Sequence, residues 1–431
     1  MKRKVFSVFL VIAMAAILMT GCEKKTPAAT ASAGGGLEGD ITLSMMWLGS
    51  TVQTRVLREY AEEVWPQKFP NIKLVFTEVS NTEINNKVAI EGATQESGYD
   101  VVIQNNLVAP LVNLNALYSI DDFIKRDNYD MSKLMNNGLD TGGKYYAVPI
   151  RGDVRTLHYN QELFRLAGLD PDKPPTNRAE MEAYAEKLKA VLPAGKYAIN
   201  TNLTNNDPIL AVLYQMGADI IDTKTGACAL NSPQAVAAIQ LLCDWYKKGY
   251  FDPRSISWQY SDEVAAYLSG NAAIYDGWPA RYIDARDPRK STVLENSRVA
   301  AAWGEKILIS GWSMAIWSKT KHADAAWEFL KFCVDPVTQK AVIDRGGDCN
   351  PTHFDVLGDP ELNAKYEVLK AVRDVFPKIE RLPQTSQLLY IRNLLTEYIP
   401  QAVSGKMTAK QAMDALVEEA NEALRDAGEL K

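Results

Sequence analysis

Histidine and cysteine are scarce in this sequence of 431 residues, which contains three His and five Cys. No two Cys are separated by two residues, and no two His have the spacing of a zinc-binding helix, so the usual zinc patterns are absent. A glycine-rich phosphate loop and an H-E-x-x-H motif are also missing. We therefore expect no metal ion and no cofactor.

The sequence also lacks a strong excess of charge of either sign. Its 47 Lys and Arg residues and 53 Asp and Glu residues give a formal net charge of −6. A nucleic-acid-binding domain needs a basic face, so nucleic acid is excluded as a partner. The length is sufficient for two or three domains with sizeable cores.

Long hydrophobic runs are missing except near the first residue. An apolar run over 5–19 follows the basic residues 2–4, and its length of about fifteen residues is typical of a secretory signal and short for a spanning helix. The run ends in Leu18-Met19-Thr20-Gly21-Cys22, which resembles the lipobox of bacterial lipoproteins. The alternatives are a plain signal peptide cut elsewhere and an uncleaved anchor.

From this pattern we predict a signal peptide over 1–21, a lipid on Cys22 and a flexible tether over 22–39, which is rich in Ala, Thr, Ser and Gly. Such a chain would be extracytoplasmic and anchored by lipid to a bacterial cell membrane.

Four cysteines remain, and the sequence leaves their state open. An oxidising exterior permits disulfides, with Cys228–Cys243 and Cys333–Cys349 as the pairings that close short loops. Against this, Cys243 and Cys333 lie in predicted helices with apolar neighbours, where a free Cys behaves as a small hydrophobic residue.

Strands and helices alternate along the first part of the chain. Apolar strands are predicted over 40–47, 72–76 and 99–103, with amphipathic helices over 51–69 and 84–92 between them. This order predicts an α/β fold with a parallel sheet covered by helices.

The segment 142–160 is predicted to form strand, turn and strand, followed by a helix that Asn160 caps. Pro149 cannot donate to a sheet ladder, so its strand should lie at a sheet edge. Arg151-Gly152-Asp153 separates the two apolar runs. It is either a surface turn or a crossing between two lobes that also presents polar groups to a ligand.

Several Trp residues lie at the ends of predicted elements, beside Gly or polar residues. Trp278 and Trp312 are each next to a Gly, which offers little packing for a core, so we favour ligand contact for both. For Trp47 and Trp258, core packing and ligand contact are about equally favoured. A rigid aromatic face suits the C–H face of a sugar ring, while Asp, Asn and Arg bind hydroxyls. Core positions are predicted for Trp245, Trp317 and Trp327.

Carboxylates offer a different chemistry. Asp153 and Asp276 could form an acid/base pair of the kind that glycosidases use, although a sequence does not give their separation. Arg151, Arg155 and Arg281 hint at an acidic glycan, but Arg also binds neutral hydroxyls.

Motifs across nearly all of the chain resemble the maltose-binding-protein-like family 1 of extracellular solute-binding proteins, lipoproteins of carbohydrate ABC transporters. The resemblance rests on Tyr146-Ala147-Val148-Pro149, Leu157-His158-Tyr159-Asn160-Gln161-Glu162-Leu163-Phe164, Tyr214-Gln215-Met216-Gly217-Ala218-Asp219, Asn231-Ser232-Pro233-Gln234-Ala235, Gly311-Trp312-Ser313-Met314-Ala315-Ile316, Ala325-Ala326-Trp327-Glu328-Phe329-Leu330 and Ser404-Gly405-Lys406.

This resemblance implies a two-lobed periplasmic-binding-protein-like fold of type II, with the ligand in a cleft between lobes joined by hinge crossings. It implies one lobe over 40–150 and 311–349, and a second over 151–310 and 350–431. Carried over by position, and with Trp258 added from the pattern above, the predicted ligand-binding residues are Trp47, Ser50, Asn105, Asn106, Arg151, Asp153, Trp258, Asp276, Trp278, Trp312 and Tyr390. Tyr390 stands where relatives have a Trp, which leaves the choice of sugar open.

The function expected from the resemblance is capture of a sugar or oligosaccharide outside the membrane and delivery to the permease subunits of an ABC importer. We expect a monomer and no catalysis. Two alternatives stay open: a secreted glycan-active hydrolase, and a ligand-sensing lipoprotein that signals to a membrane partner.

Overall fold

The computed structural model describes residues 37–81, 83–95, 98–136 and 138–430. The predicted signal peptide, the lipidation site Cys22 and the tether up to residue 36 lie outside the described residues. The last tether residues are held by contacts: the Asn71 side-chain amide donates to the carbonyl oxygens of Leu37 at 2.7 Å and of Gly39 at 2.8 Å. Ordered contacts therefore reach into the predicted tether.

The strands, in chain order, are β1 Ile41–Leu48, β2 Ile72–Val79, β3 Val101–Asn105, β4 Asp140–Thr141, β5 Lys144–Tyr145, β6 Ala147–Pro149, β7 Thr156–Asn160, β8 Tyr197–Asn200, β9 Ala272–Gly277, β10 Ser297–Ala301, β11 Ile307–Ile309, β12 Trp312–Ile316 and β13 Ile379–Arg381. The helices are α1 Val52–Lys68, α2 Ile84–Thr94, α3 Val108–Asn113, α4 Asp121–Asp127, α5 Gln161–Leu166, α6 Arg178–Val191, α7 Asn206–Gln215, α8 Pro233–Lys247, α9 Tyr260–Leu268, α10 Arg281–Arg286, α11 Ala323–Val334, α12 Pro336–Asp344, α13 Phe354–Leu357, α14 Pro360–Lys365, α15 Glu367–Val375, α16 Leu388–Val403 and α17 Ala409–Asp426.

The first sheet has five strands in the order β2-β1-β3-β12-β6. The strands β1, β2 and β3 are parallel, as the alternation of strands and helices predicts. The returning strand β12 runs antiparallel to both β3 and β6. Because β6 is the last strand, Pro149 lies at a sheet edge, where its missing N–H leaves no ladder bond unmade.

The second sheet has four strands in the order β10-β7-β9-β8. Its strand β7 is antiparallel to both neighbours, and β8 pairs parallel with β9. Two small sheets, β4–β5 and β11–β13, complete the strand pairing of the described residues. The chain therefore forms an α/β fold with two separate main sheets, each with its own hydrophobic core.

Local signals in the sequence agree with the observed helix starts. The Asn160 side chain accepts from the backbone N–H groups of Glu162 and Leu163, so it caps α5 as predicted. Asn177 caps α6 by accepting from the N–H of Glu180, and Thr176 beside it donates to the Glu180 carboxylate. Burial confirms the core positions predicted for Trp245, Trp317 and Trp327.

Two crossings join the sheets and pair with each other. One runs from β6 to β7, and the other runs from β11 to β12. The N–H of Arg151 donates to the Trp312 carbonyl at 3.1 Å, and the N–H of Ser310 donates to the Asp153 carbonyl at 2.8 Å. Arg151-Gly152-Asp153 is therefore part of an interlobe crossing rather than a surface turn.

A third segment, 350–352, packs against this pair of crossings. The N–H of Gly152 donates to the Asn350 carbonyl at 3.2 Å, and the Thr352 hydroxyl donates to the Pro149 carbonyl at 2.8 Å. A Cβ on Gly152 would lie 2.4 Å from the sulfur of Met135. Glycine is required at this position because the crossings approach each other so closely.

The four described cysteines, Cys228, Cys243, Cys333 and Cys349, are free thiols. Three of them are buried and Cys243 is half-buried, so they act as small hydrophobic residues, which was one of the two readings left open. No helix among the described residues combines the length and the apolar character needed to cross a bilayer.

Candidate ligand-binding cleft

A cleft of about 700 Å³ opens where the two sheets meet. Its lining comes from the ends of strands in both sheets and from both crossings. The first sheet's side supplies Ser50, Thr51, Val52, Asn81, Asn85 and Asn105, the second supplies residues between Asn202 and Lys290, and the crossings supply Arg151, Asp153, Ser310 and Trp312. Asp348 and Arg392 complete it. The volume is that of a small-molecule site.

Three tryptophans form the aromatic part of the cleft lining. Trp258, Trp278 and Trp312 are 7%, 9% and 8% exposed, so each ring is largely packed yet contributes surface to the cleft. Rings held in this way can bury apolar C–H groups of a ligand at a small cost in conformational entropy. The structure thus brings together all but one of the four tryptophans named as candidate ligand contacts.

Trp278 is backed by a buried cation. The Arg155 guanidinium lies 4.6 Å from the Trp278 ring centre, and its Nε donates to the Asp276 carboxylate at 2.7 Å. The Trp278 carbonyl oxygen lies 3.1 Å from Nε2 of His158. The ring and the backbone of Trp278 are therefore both fixed from behind.

The structure places Asp276, a predicted ligand contact, outside the cleft lining. Its carboxylate accepts from Arg155 and Gln215, and it does not line the cleft. Arg155 takes up this carboxylate because an arginine that is only 2% exposed needs a paired anion. The acid/base pair of Asp153 with Asp276, on which the hydrolase alternative rested, is consequently not formed in the cleft.

The first sheet contributes small polar groups. Ser50 and Asn105 line the cleft, as predicted for their positions at the ends of β1 and β3. Asn106 stands behind the lining: its side-chain amide donates to Asn105 at 2.8 Å and to the Ser310 hydroxyl at 3.0 Å. The structure thus places Asn106, a predicted ligand contact, outside the lining and as a support for Asn105.

A charged cluster occupies the crossings at the base of the cleft. Nη2 of Arg151 lies 3.3 Å from the Asp153 carboxylate and 3.5 Å from the Asp348 carboxylate. The Asn350 side-chain amide donates to Asp153 at 2.7 Å. Burial raises the pKa of Asp348, and the neighbouring guanidinium groups of Arg151 and Arg281 partly offset that effect.

Further charges come from the second sheet's side. Asp284 lies 2.9 Å from Arg281 and 2.7 Å from Lys290. Arg392 of α16 lies 2.8 Å from the Asp207 carboxylate at the start of α7. Cleft positions for Asp284, Lys290, Asp348 and Arg392 are not evident from the sequence, because charged residues on helices and loops are usually solvated.

Two buried titratable groups lie behind the Trp278 wall. Burial lowers the pKa of His158 to about 3, so this imidazole is neutral at neutral pH. Burial also raises the pKa of Glu263 to about 7, although the nearby Arg155 opposes the shift. Neither residue lines the cleft, so both belong to its support.

Two further predicted contacts, Trp47 and Tyr390, also lie outside the cleft lining. Trp47 is fully buried in the first core, where its ring lies 4.9 Å from Phe76 and its Nε1 donates to the Thr54 carbonyl at 3.0 Å. Tyr390 is 41% exposed, and its hydroxyl donates to Glu419 outside the cleft. Arg392, two residues along the same helix, lines the cleft instead.

Comparison with known proteins agrees with this architecture. The profile of the bacterial extracellular solute-binding protein family matches residues 49–340. A probable amino-acid ABC transporter periplasmic-binding protein of Sinorhizobium fredii is 26% identical over 67% of this chain, and the match spans 66% of that relative's length. The mannitol-binding protein of Pseudomonas aeruginosa is 21% identical over 91% of this chain and 95% of its own.

Among solved structures, the maltose-bound MalE3 of T. maritima superposes with a TM-score of 0.77 at 20% identity, covering 89% of this chain and all of that one. The predicted two-lobed, type II periplasmic-binding-protein-like fold is thereby confirmed. With the profile match extending over more than half of its residues, the chain belongs to the bacterial extracellular solute-binding protein family.

Proposed function

We propose that this protein is the substrate-binding component of an ABC importer and that it captures a sugar, polyol or oligosaccharide outside the cytoplasmic membrane. The observation that carries the proposal is the cleft between the sheets, in which Trp258, Trp278 and Trp312 alternate with hydroxyl and carboxamide groups. Aromatic faces bury the C–H faces of a sugar ring, while Asn, Asp and Arg side chains bind its hydroxyls. Nothing in this arrangement requires a catalytic step.

The crossings supply a hinge for this function. The boundaries between the lobes are placed at residues 150/151, 310/311 and 349/350. The two paired crossings and the flanking segment 350–352 link the lobes at these boundaries. Closure around a ligand then requires dihedral changes in a few crossing residues. It is driven by the greater affinity of the ligand for the closed form. A permease would distinguish the closed, loaded form from the open one.

The predicted lipid on Cys22 belongs to the same proposal. A lipid and a tether over 22–39 would hold a monomeric receptor close to the permease and raise its effective concentration there. The polyol and maltose named for relatives support this class of ligand and are not assigned to this chain.

A thermal-shift screen of the purified mature chain tests the proposal. Neutral sugars, polyols and oligosaccharides of increasing length are added separately, and a true ligand should raise the melting temperature by an amount that grows with the logarithm of its concentration above Kd. Amino acids serve as the comparison class, since one relative is named for them. No shift with any carbohydrate or polyol would refute the proposal, and product release from a glycan would refute the absence of catalysis.

A further inference from the structure

Eight charged side chains line the cleft, and they balance. The cations are Arg151, Arg281, Lys290 and Arg392, and the anions are Asp153, Asp207, Asp284 and Asp348. We propose that the ligand of this cleft is an uncharged polyhydroxyl compound and that sugar acids, sugar phosphates and amino sugars are discriminated against. This inference rests on the proposed function and narrows its substrate class.

Each cation is already paired with a carboxylate. Arg151 has Asp153 at 3.3 Å and Asp348 at 3.5 Å, and Arg392 has Asp207 at 2.8 Å. Arg281 and Lys290 share Asp284 at 2.9 Å and 2.7 Å. Every cation of the lining therefore has a carboxylate partner. The excess positive charge of Arg281 and Lys290 over Asp284 is matched by the second carboxylate beside Arg151, that of Asp348, which also acts on Arg281.

Burial makes the pairs of Arg151 and Arg281 costly to exchange, whereas the Lys290 side chain is 45% exposed. The Arg151, Asp153 and Asp348 side chains are 8%, 9% and 7% exposed, and those of Arg281 and Asp284 are 16% and 12% exposed. An anionic ligand would have to displace a carboxylate or add an unbalanced charge, and an unpaired buried charge is strongly destabilising. The same reasoning applies to an ammonium group approaching the carboxylates.

A neutral hydroxyl of a ligand can bind in the cleft without displacing a carboxylate or adding a charge. A guanidinium has five N–H donors, so an arginine that keeps its carboxylate partner retains N–H groups for a ligand hydroxyl. The lining also contains seven carboxamides, which both donate and accept as hydroxyls do: Asn81, Asn85, Asn105, Asn202, Asn205, Asn206 and Gln259. A polyol can satisfy these groups while every ion pair stays intact.

These ion pairs change the interpretation of three arginines that the sequence suggests as contacts for an acidic ligand. Arg151, Arg155 and Arg281 hint at an acidic glycan when they are considered alone. In the structure Arg155 is paired with Asp276 behind Trp278, and the other two are paired within the cleft.

The first experiment compares matched neutral and charged probes on the wild-type chain by calorimetry. Mannitol is paired with mannitol 1-phosphate, maltose with digalacturonate, and glucose with glucosamine. We expect every pair with measurable binding to favour the neutral member by at least about tenfold, since a charge in the cleft is uncompensated. Its affinity should also be nearly independent of ionic strength.

The second experiment unbalances the cleft. Asp284→Asn leaves Arg281 and Lys290 without their shared carboxylate, so a sugar phosphate or sugar acid should bind about tenfold more tightly than it binds the wild type. Added salt should reduce that gain. Asp287→Asn is the matched control, because Asp287 pairs with Arg289 at 2.8 Å outside the cleft lining. That control should retain the wild-type preference.

The possible outcomes distinguish a failure of the neutral-ligand inference from a failure of the proposed function. Equal or tighter binding of the charged member by the wild type overturns the neutral-ligand inference and leaves the proposed function standing. Absence of binding by every carbohydrate and polyol overturns both. The wild-type comparison decides the inference even when Asp284→Asn does not fold.

Discussion

The two sides of the cleft are built from different chemistry. Behind the first sheet's side lies an apolar core in which Trp47, Trp65 and Phe329 pack together. Behind the second sheet's side lies a buried polar layer that includes Arg155 and Glu263, each at most 2% exposed. The first side contributes mainly Ser, Thr and Asn to the cleft, and the second contributes two of the three tryptophans and most of the charges.

This contrast indicates that the two lobes stabilise their cleft faces by different interactions. A wall that must hold Trp278 in one orientation needs directional contacts, and the Arg155 guanidinium and the His158 ring provide them. Such contacts require buried charge, which costs stability unless every partner is present. Among the residues that the structure describes, the first lobe has no comparable charged layer behind its cleft face, and hydrophobic packing stabilises it.

The largest predicted effect is a loss of stability, caused by a substitution in the apolar core behind the first sheet's side of the cleft. Trp47→Ala removes a fully buried ring, so the free energy of unfolding should fall by about 3–5 kcal/mol. Because Trp47 does not line the cleft, the folded variant should keep the wild-type ligand affinity. Denaturant unfolding and calorimetry measure the two quantities. A large loss of affinity with unchanged stability would restore Trp47 as a ligand contact.

The buried polar side should respond to pH. The folded-state pKa of Glu263 is raised from 4.5 to about 7, so the folded state binds this proton more tightly than the unfolded state. The free energy of unfolding should therefore decline as the pH rises from about 4.5 through about 7.

Glu263→Gln should remove that decline and exceed the wild type in stability by up to about 3 kcal/mol above pH 7. Both proteins contain His158, so the effect of its titration cancels in the difference between their free energies of unfolding. Chemical denaturation across this pH range gives that difference directly. A difference that is constant with pH would show that Glu263 does not titrate in this window.

The smallest predicted effects are losses of ligand affinity when a tryptophan ring of the cleft is removed. Trp278→Ala should weaken ligand binding by about 2 kcal/mol, and Trp312→Ala by about 1–2 kcal/mol, since each removes one aromatic wall of the cleft. Both rings also pack in the hydrophobic cores, so stability should fall as well. Tyr390→Ala is the control: its exposed ring lies outside the cleft, so affinity should be unchanged and stability should change by less than about 0.5 kcal/mol. Calorimetry with the ligand found in the screen measures all three. Normal affinity in both Trp variants would contradict the aromatic role.

Much of the architecture could be predicted from local patterns in the sequence. Hydrophobic periodicity predicts the parallel β1, β2 and β3, Pro149 predicts an edge strand, and Asn160 predicts the start of α5. These features depend on backbone chemistry within a few residues. The position of Arg151-Gly152-Asp153 between two apolar runs also made the interlobe crossing one of two explicit alternatives.

Which side chains face the cleft was decided by the tertiary structure. Trp47 lies in a strand that is buried on both faces, so alternation does not separate core from cleft. Tyr390 and Arg392 are two positions apart on α16, about 200° around the helix axis, and packing against α7 and α17 selects which one faces the cleft. Asp276 is captured by Arg155, 121 residues earlier.

The sequence by itself thus determined many of the elements and their order, because these follow from short-range propensity and hydrophobic pattern. The choice between a surface turn and a crossing at Arg151-Gly152-Asp153 was decided by its pairing with the segment 310–312. The tertiary structure alone decided the charge balance of the cleft, because ion pairs such as Arg392 with Asp207 join residues 185 positions apart.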